Sequence, residues 1–203
     1  TIDPGTLELL KKLLSIDLFG ELRLVGGTSL ALQIGHRKSI DLDLFGAIHA
    51  DVLEINLQLA QIAATTQLND SKNIHVYLVN GIKVDIVNYT YAWLQDLIEK
   101  DGLRLASTHD RAAIKLSAIT GWGSKKDFID LFFLLKQFSL SEMLDLYLAK
   151  YHDGSLFLVL KSLVYFDDAD LEEMPNMLIP VKWKIVKAAV IAAHSDYIKG
   201  FNV

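Results

Sequence analysis

Cysteine is absent from the chain, which removes disulfides, thiolate metal sites and cysteine nucleophiles together. Proline is scarce, three residues in 203, and no proline- or serine-rich run marks a linker. The chain therefore reads as one substantial domain, or one domain with a helical annex. No apolar run reaches the ~18 residues that a bilayer span requires, so no membrane partner is expected. Internal repeats and low-complexity tracts are lacking as well. Nor is there an excess of positive charge. The formal net charge of −5 argues against a sequence-independent nucleic-acid coat protein. It leaves a nucleic-acid substrate open, because charge can be segregated along a chain. These absences fit a cytoplasmic protein. The chain opens at Thr1 rather than Met, so the lack of a leader is an expectation only.

What is present is ordinary globular material. Hydrophobic residues make up 51% and charged residues 22%, enough for a sizeable core. Residues 4–16 carry Leu7, Leu9, Leu10, Leu13 and Leu14 at helical spacing. "ELRLVGG" predicts a short strand and a turn. "TSLALQIG" predicts a two-turn helix with Thr28 as N-cap and Gly35 as C-cap. "SIDLDLF" alternates, with Ile40, Leu42 and Leu44 on one face and Ser39, Asp41 and Asp43 on the other. Residues 50–64 predict a helix. Asn80-Gly81 divides two apolar runs and signals a hairpin. From about 91 onward the pattern is nearly all helical, with the last strand near 89. The expected class is α+β: a sheet-containing core over 1–100, then a helical region over 101–203.

Two local rules are broken close together. Gly26-Gly27 is entropically costly, and Asp is depleted in strands. Asp41 and Asp43 on one strand face would have Cβ atoms roughly 6–7 Å apart. Asp85, in "IKVDIV", shares a face with Lys83 and Val87. If its strand pairs beside the first, it joins the other two carboxylates within about 5 Å. Three carboxylates that close repel one another, and a divalent cation between them relieves the repulsion. Mg²⁺ takes such hard oxygen ligands. Two ions can bridge nucleophile and leaving group in phosphoryl transfer. The competing reading of Asp-x-Asp is the wet face of an antiparallel strand. Against it stands the ordered set of glycine turn, Thr28-Ser29 at a helix start, and Asp-x-Asp on a strand. Backbone amides and hydroxyls at such a turn suit a phosphate.

That ordered set resembles the nucleotidyltransferase fold of the DNA polymerase β superfamily, a mixed sheet flanked by helices. "GGTSLALQIGHRKSIDLDLF" is similar, more closely, to the first motif of the AbiEii-type nucleotidyltransferases, an abortive-infection toxin family. "GIKVDIVNY" resembles the strand carrying the third carboxylate. "LASTHDRAAIKLSAITGWGSKKDFIDLFFLL" resembles a Lys-containing helix and a Lys-Asp-x-x-Asp helix. "LKSLVYFDDADLEEMPNML" and "VKWKIVK" resemble the tail of stand-alone members. The resemblance covers nearly the whole chain. It implies transfer of a nucleotidyl group from an NTP with Mg²⁺ or Mn²⁺, tRNA 3′ ends among the acceptors, and a protein antitoxin. Carried over by motif, Asp41, Asp43 and Asp85 would be metal ligands. Gly26, Gly27, Thr28, Ser29 and Ser39 would surround the phosphates, Lys115 would contact the triphosphate, and Asp127 would be the acid of the later helix.

Other residues stay open on their own terms. Arg37 would pair with phosphate oxygens or neutralise the acidic strand. His36 beside it reads as a solvated loop residue. Arg111 and Lys115 share a helix face at i, i+4, and Lys115 interrupts an otherwise apolar run, so Lys115→Ala is expected to cost nucleotide affinity more than stability. Lys126, Asp127 and Asp130 would make an intrahelical ion pair plus an exposed acid, with Phe128, Leu131, Phe132 and Leu135 facing inward. Arg104, Arg111, Lys115, Lys125 and Lys126 against Asp110 form a basic stretch that could meet RNA or an NTP. "FDDAD" at 166–170 reads as an acidic turn ending a helix, and Trp183 as core. Two rival functions remain. "THDR" at 108–111 holds the His-Asp pair of metal phosphohydrolases, and a silent family member would bind nucleotide or a partner without reaction.

Overall fold

The computed structural model describes residues 1–200. The chain forms two compact units, neither continuous in sequence. The first comprises Thr1–Gln33, Ser39–Tyr91 and Asp96–Ala106; the second comprises Ile34–Lys38, Ala92–Gln95 and the chain from Ser107 onward.

The first unit is built on a seven-stranded mixed sheet. Its strands are β1 (Arg23–Leu24), β2 (Leu42–Gly46), β3 (Thr65–Asp70), β4 (Ile74–Val79), β5 (Ile82–Asn88), β6 (Ile98–Lys100) and β7 (Leu103–Leu105), in the order β3-β4-β5-β2-β1-β7-β6. The β2–β5 and β1–β7 pairs are parallel and the others antiparallel. Helix α1 (Pro4–Leu14) starts as elementary chemistry dictates: Asp3 accepts from the Thr6 amide at 3.0 Å, and Pro4 needs no hydrogen-bond partner there. Its Leu9, Leu10, Leu13 and Leu14 join Leu24, Leu42, Leu44, Val84 and Ile86 of the sheet in one buried cluster. Ile55 and Leu59 of α3 (Val52–Ile62) enter the same cluster. Full burial of each such side chain contributes about 1.5–3 kcal/mol.

The structure departs from the alternation pattern in several places. The second strand begins at Leu42, not Ser39: Ser39 is buried, while Ile40 is 63% exposed. Strands also continue past 89. The β6–β7 hairpin turns on Asp101 and Gly102, both at positive φ. Three-residue strands bearing Glu99, Lys100 and Arg104 are too short and too charged to show alternation. Strand β3 was equally silent, since its residues are mostly exposed. The Asn80-Gly81 hairpin is present, with φ of 50° and 81°.

The second unit contains α4 (Thr108–Trp122), α5 (Lys125–Leu134), α6 (Leu140–Lys150), α7 (Leu156–Leu163), α8 (Asp167–Leu171) and α9 (Trp183–Lys199). Serines stand at the N-caps of the first four, at 107, 124, 139 and 155. On α5 the buried apolar face is Phe128, Ile129, Leu131, Phe133 and Leu134, with Phe132 and Leu135 half-buried rather than inward. "FDDAD" opens α8 instead of closing a helix. Asp170 there accepts from Trp183 Nε1 at 2.5 Å and Lys187 Nζ at 2.8 Å. Trp183 is half-buried and packs by its edge near Phe128 and Phe166, and Val186 rather than Ile185 reaches the core. Among the described residues, no helix is long and apolar enough to cross a membrane.

Candidate active site

Helix α2 (Gly26–Ile34) starts directly after β1, and Gly26 sits at its first position with φ +63°. A Cβ on Gly26 would lie 2.0 Å from Asp43 Oδ2 and 2.8 Å from Asp43 Cγ. The glycine is thus required twice, for its left-handed backbone and for the carboxylate laid against it. The Val25 amide donates to the Asp43 carbonyl at 2.8 Å, which fixes β2 beside this turn. The glycine pair is therefore the first turn of a helix rather than a separate turn. Thr28 is not an N-cap. It is buried within α2, where Oγ1 shares a 2.8 Å hydrogen bond with Ser39 Oγ and also donates to the Asp41 carbonyl. Ser29 is fully buried. Thr28 and Ser39 thus position the aspartate strand, a use of these hydroxyls that spacing alone did not reveal.

Strand register brings the carboxylates together. In the parallel β2–β5 pair, Asp43 stands opposite Asp85. Asp41 lies one residue before β2, half-buried. Asp85 Oδ2 accepts from Lys83 Nζ at 2.6 Å. Asp85 Oδ1 is buried and has no hydrogen-bond partner among the described residues. Burial pushes the Lys83 ammonium down, but the bond to Asp85 and the charges of Asp85, Asp43 and Asp41 together hold it above its ordinary range. Lys83 is a residue whose part in the cluster sequence reasoning missed. Its signal was its place two residues before Asp85 on the same strand face. No three carboxylates or imidazoles among the described residues are gathered tightly enough to hold an ion by themselves.

The second unit carries the other residues. Asp130 of α5 is fully buried. It accepts from Arg37 Nε at 2.7 Å and Nη2 at 2.9 Å, from Lys115 Nζ at 2.8 Å, and pairs with His36 Nε2 at 2.7 Å. Lys115 also donates to Asp127 Oδ1 at 2.8 Å. Asp127 Oδ2 closes a capping box with the Ser124 amide and hydroxyl. Burial alone would neutralise these groups. The paired charges outweigh it: Lys115 is raised well above the usual lysine range, and Asp127 and Asp130 are held below the usual carboxylate range. Arg111, buried on the same helix face as Lys115, is lowered by burial to about 10, partly offset by Asp130. The backbone at Arg37 is fixed by a bridge to Met177, and His36 and Lys38 bond to Leu178 and Asn176.

Asp130 is accordingly a buried hub, not an exposed acid, and His36 is fully buried against Phe133, not solvated. Arg37 goes to Asp130. The basic stretch is not a surface patch. Arg104 donates to the Leu14, Phe19 and Leu22 carbonyls, Lys125 to the Glu172 carbonyl, and Arg111 and Lys115 are buried. The His109-Asp110 pair is not built as a metal site. Asp110 is fully buried, accepting from Ser107 Oγ, the Leu94 and Gln95 amides, and Lys150 Nζ at 2.7 Å, while His109 packs on Phe138.

The fold is that of a nucleotidyltransferase. The structure of JHP933 from Helicobacter pylori matches over 100% of this chain and 97% of its own, at TM-score 0.56 and 16% identity. MenT4, a nucleotidyltransferase toxin from Mycobacterium tuberculosis H37Rv, matches over 93% of this chain and 81% of its own, at TM-score 0.63 and 15% identity. The chain belongs to the family described as nucleotidyl transferase AbiEii toxin, type IV TA system, whose model matches residues 8–199. An uncharacterized protein of Aquifex aeolicus (strain VF5) is 35% identical over 168 residues, 80% of this chain and 82% of that protein. The protein is thus a toxin-type nucleotidyltransferase.

Proposed function

We propose that this enzyme moves an NMP from an NTP to an acceptor hydroxyl. The observation that carries the reading is the register of Asp43 against Asp85, with Asp43 laid on the Gly26 backbone. The hydroxyl oxygen forms a bond to the α-phosphorus, the bond from that phosphorus to the β-phosphate bridge oxygen breaks, and pyrophosphate leaves. The proton of the hydroxyl passes to the Asp43–Asp85 pair. Asp41, Asp43 and Asp85 offer the hard oxygen donors that Mg²⁺ or Mn²⁺ prefers, and the orphaned Asp85 Oδ1 is an acceptor that a cation would satisfy. Such an ion commonly takes only one or two carboxylates and completes its shell with water and phosphate, so a protein-only cage of three is not needed. When bound, it would supply charge neutralisation at the reacting phosphate. Gly26 and Gly27 would line the phosphates, whereas Lys115, Arg37 and Asp127 are engaged in the ion cluster around Asp130 in the second unit.

The proposed acceptor is RNA, with tRNA among the candidates, and the family's toxin–antitoxin character supports a cognate antitoxin. Incubating purified protein with each α-labelled NTP, Mg²⁺ and bulk RNA tests the reading. Labelled RNA is expected, and Asp43→Asn is expected to lower labelling by at least about 100-fold, in line with loss of a group acting in the transition state. Bound but unreacted NTP would instead make the chain a nucleotide sensor.

A further inference from the structure

We propose that Lys83 is a resident counter-cation of the carboxylate cluster, whose bond to Asp85 opposes binding of a divalent ion there. The inference rests on the reading of Asp41, Asp43 and Asp85 as metal ligands, and it assigns to a side chain outside that set the control of metal affinity.

The geometry is local and direct. Lys83 and Asp85 are i, i+2 on β5, so both side chains leave the same face of the strand. The ammonium lies 2.6 Å from Asp85 Oδ2, on the residue whose backbone pairs with Asp43. Its charge is felt by Asp41 and Asp43 as well as by Asp85. Three carboxylates on neighbouring positions repel, and the metal-free fold must neutralise them. A lysine suits that role because its ammonium is a compact point charge on a flexible stem. The Lys83 side chain is 44% exposed, against 21% for Asp85, so it has solvent to swing into, whereas the buried Lys115 does not. A divalent ion at Asp85 would meet the ammonium as a like charge at hydrogen-bond range. An ion taken up at the open Oδ1 would lie beside the ammonium held on Oδ2, so the two occupancies oppose each other. Lys83 therefore holds the carboxylate pose in the empty enzyme and weakens binding of a bare ion.

The experiment uses the full chain, with Mn²⁺ alone as the probe, read by calorimetry and by the electron paramagnetic resonance of free Mn²⁺. Lys83→Met should bind Mn²⁺ at least about tenfold more tightly than wild type, because a positive charge some 3–5 Å from the ion is removed, even after solvent screening. Lys83→Arg, which keeps the charge, should stay near the wild-type affinity. In chelator-treated buffer Lys83→Met should melt below wild type, and saturating Mn²⁺ should close that gap. Equal or weaker Mn²⁺ binding by Lys83→Met, with wild type binding measurably, overturns the counter-cation role while leaving the metal reading in place. No binding by any of the proteins, Asp85→Asn included as the control, overturns the metal reading and this inference with it.

Discussion

At the scale of single residues, the second unit turns on Asp130. One carboxylate holds Arg37, Lys115 and His36, and all of them are buried. The sequence suggested that Lys115→Ala would be mild for folding, because an apolar helix face tolerates alanine. The structure argues against a mild effect on folding, because Lys115 is buried and bound to both Asp127 and Asp130. Removing the ammonium leaves Asp127 and Asp130 facing each other without it, and breaking a buried pair from one side costs about 3–5 kcal/mol. Lys115→Ala should therefore shift the urea midpoint strongly, and adding Asp127→Asn should recover part of the loss by removing the repulsion. Unchanged urea midpoints would return Lys115 to a purely ligand-facing role. These residues were only partly legible beforehand. Lys115 announced itself by interrupting an apolar run, and Asp127 by its motif. Asp130 and His36 did not, because their burial depends on partners 93 and 94 positions apart in the chain, which periodicity cannot see.

Among the elements, the β1–α2–β2 passage shows how strongly local rules predict when a single short-range cause operates. Alternation located the aspartates, and the register of β2 on β5 then set Asp43 against Asp85. Strand β2 starts three residues later than alternation predicts, because Ser39 is buried by a hydroxyl bond to Thr28 rather than by pairing in the sheet. The same passage separates two costs at glycine. Gly26 and Gly81 both have positive φ, but only Gly26 has an obstacle where a Cβ would go. Gly81→Ala is expected to lose about 1 kcal/mol, the backbone cost alone. Gly26→Ala is expected to lose at least about 2–3 kcal/mol and to displace the Asp43 carboxylate, since strain and collision add. Thermal melts of the two variants compare the costs directly, and equal losses would mean that Asp43 moves aside freely.

For the whole molecule, the ion clusters predict a loss of stability at both extremes of pH. Asp127 and Asp130 titrate lower in the folded state than in the unfolded chain, where aspartate titrates near ~3.9. The unfolded state therefore takes up protons first on acidification. The stabilisation is fully present above about pH 4 and is lost as pH falls through the folded values. Lys115 is shifted the other way. Its contribution is complete below the ordinary lysine value near ~10.4 and is lost only as pH rises through the higher folded one. Urea titrations at pH 7 and pH 3 should show a smaller difference for Asp130→Asn than for wild type. An equal difference in the two proteins would remove Asp130 from the acid response.

The discontinuous make-up of the second unit bears on how the chain comes into being. His36 and Arg37 leave the ribosome long before Asp130, and the Leu94 and Gln95 amides precede Lys150, which shares Asp110 with them. A nascent chain halted near residue 106 holds every strand of the sheet, yet its two early segments still lack the helices that receive them. Conversely, a fragment from Ser107 onward would carry Asp110 and Asp130 without most of the donors that make their burial tolerable. Such a fragment should show little cooperative unfolding by circular dichroism at pH 7, and added peptides spanning 30–40 and 90–97 should restore some of it. A cell making this toxin would thus hold, until Lys150 has been added, a polypeptide whose buried acids have yet to meet all their donors.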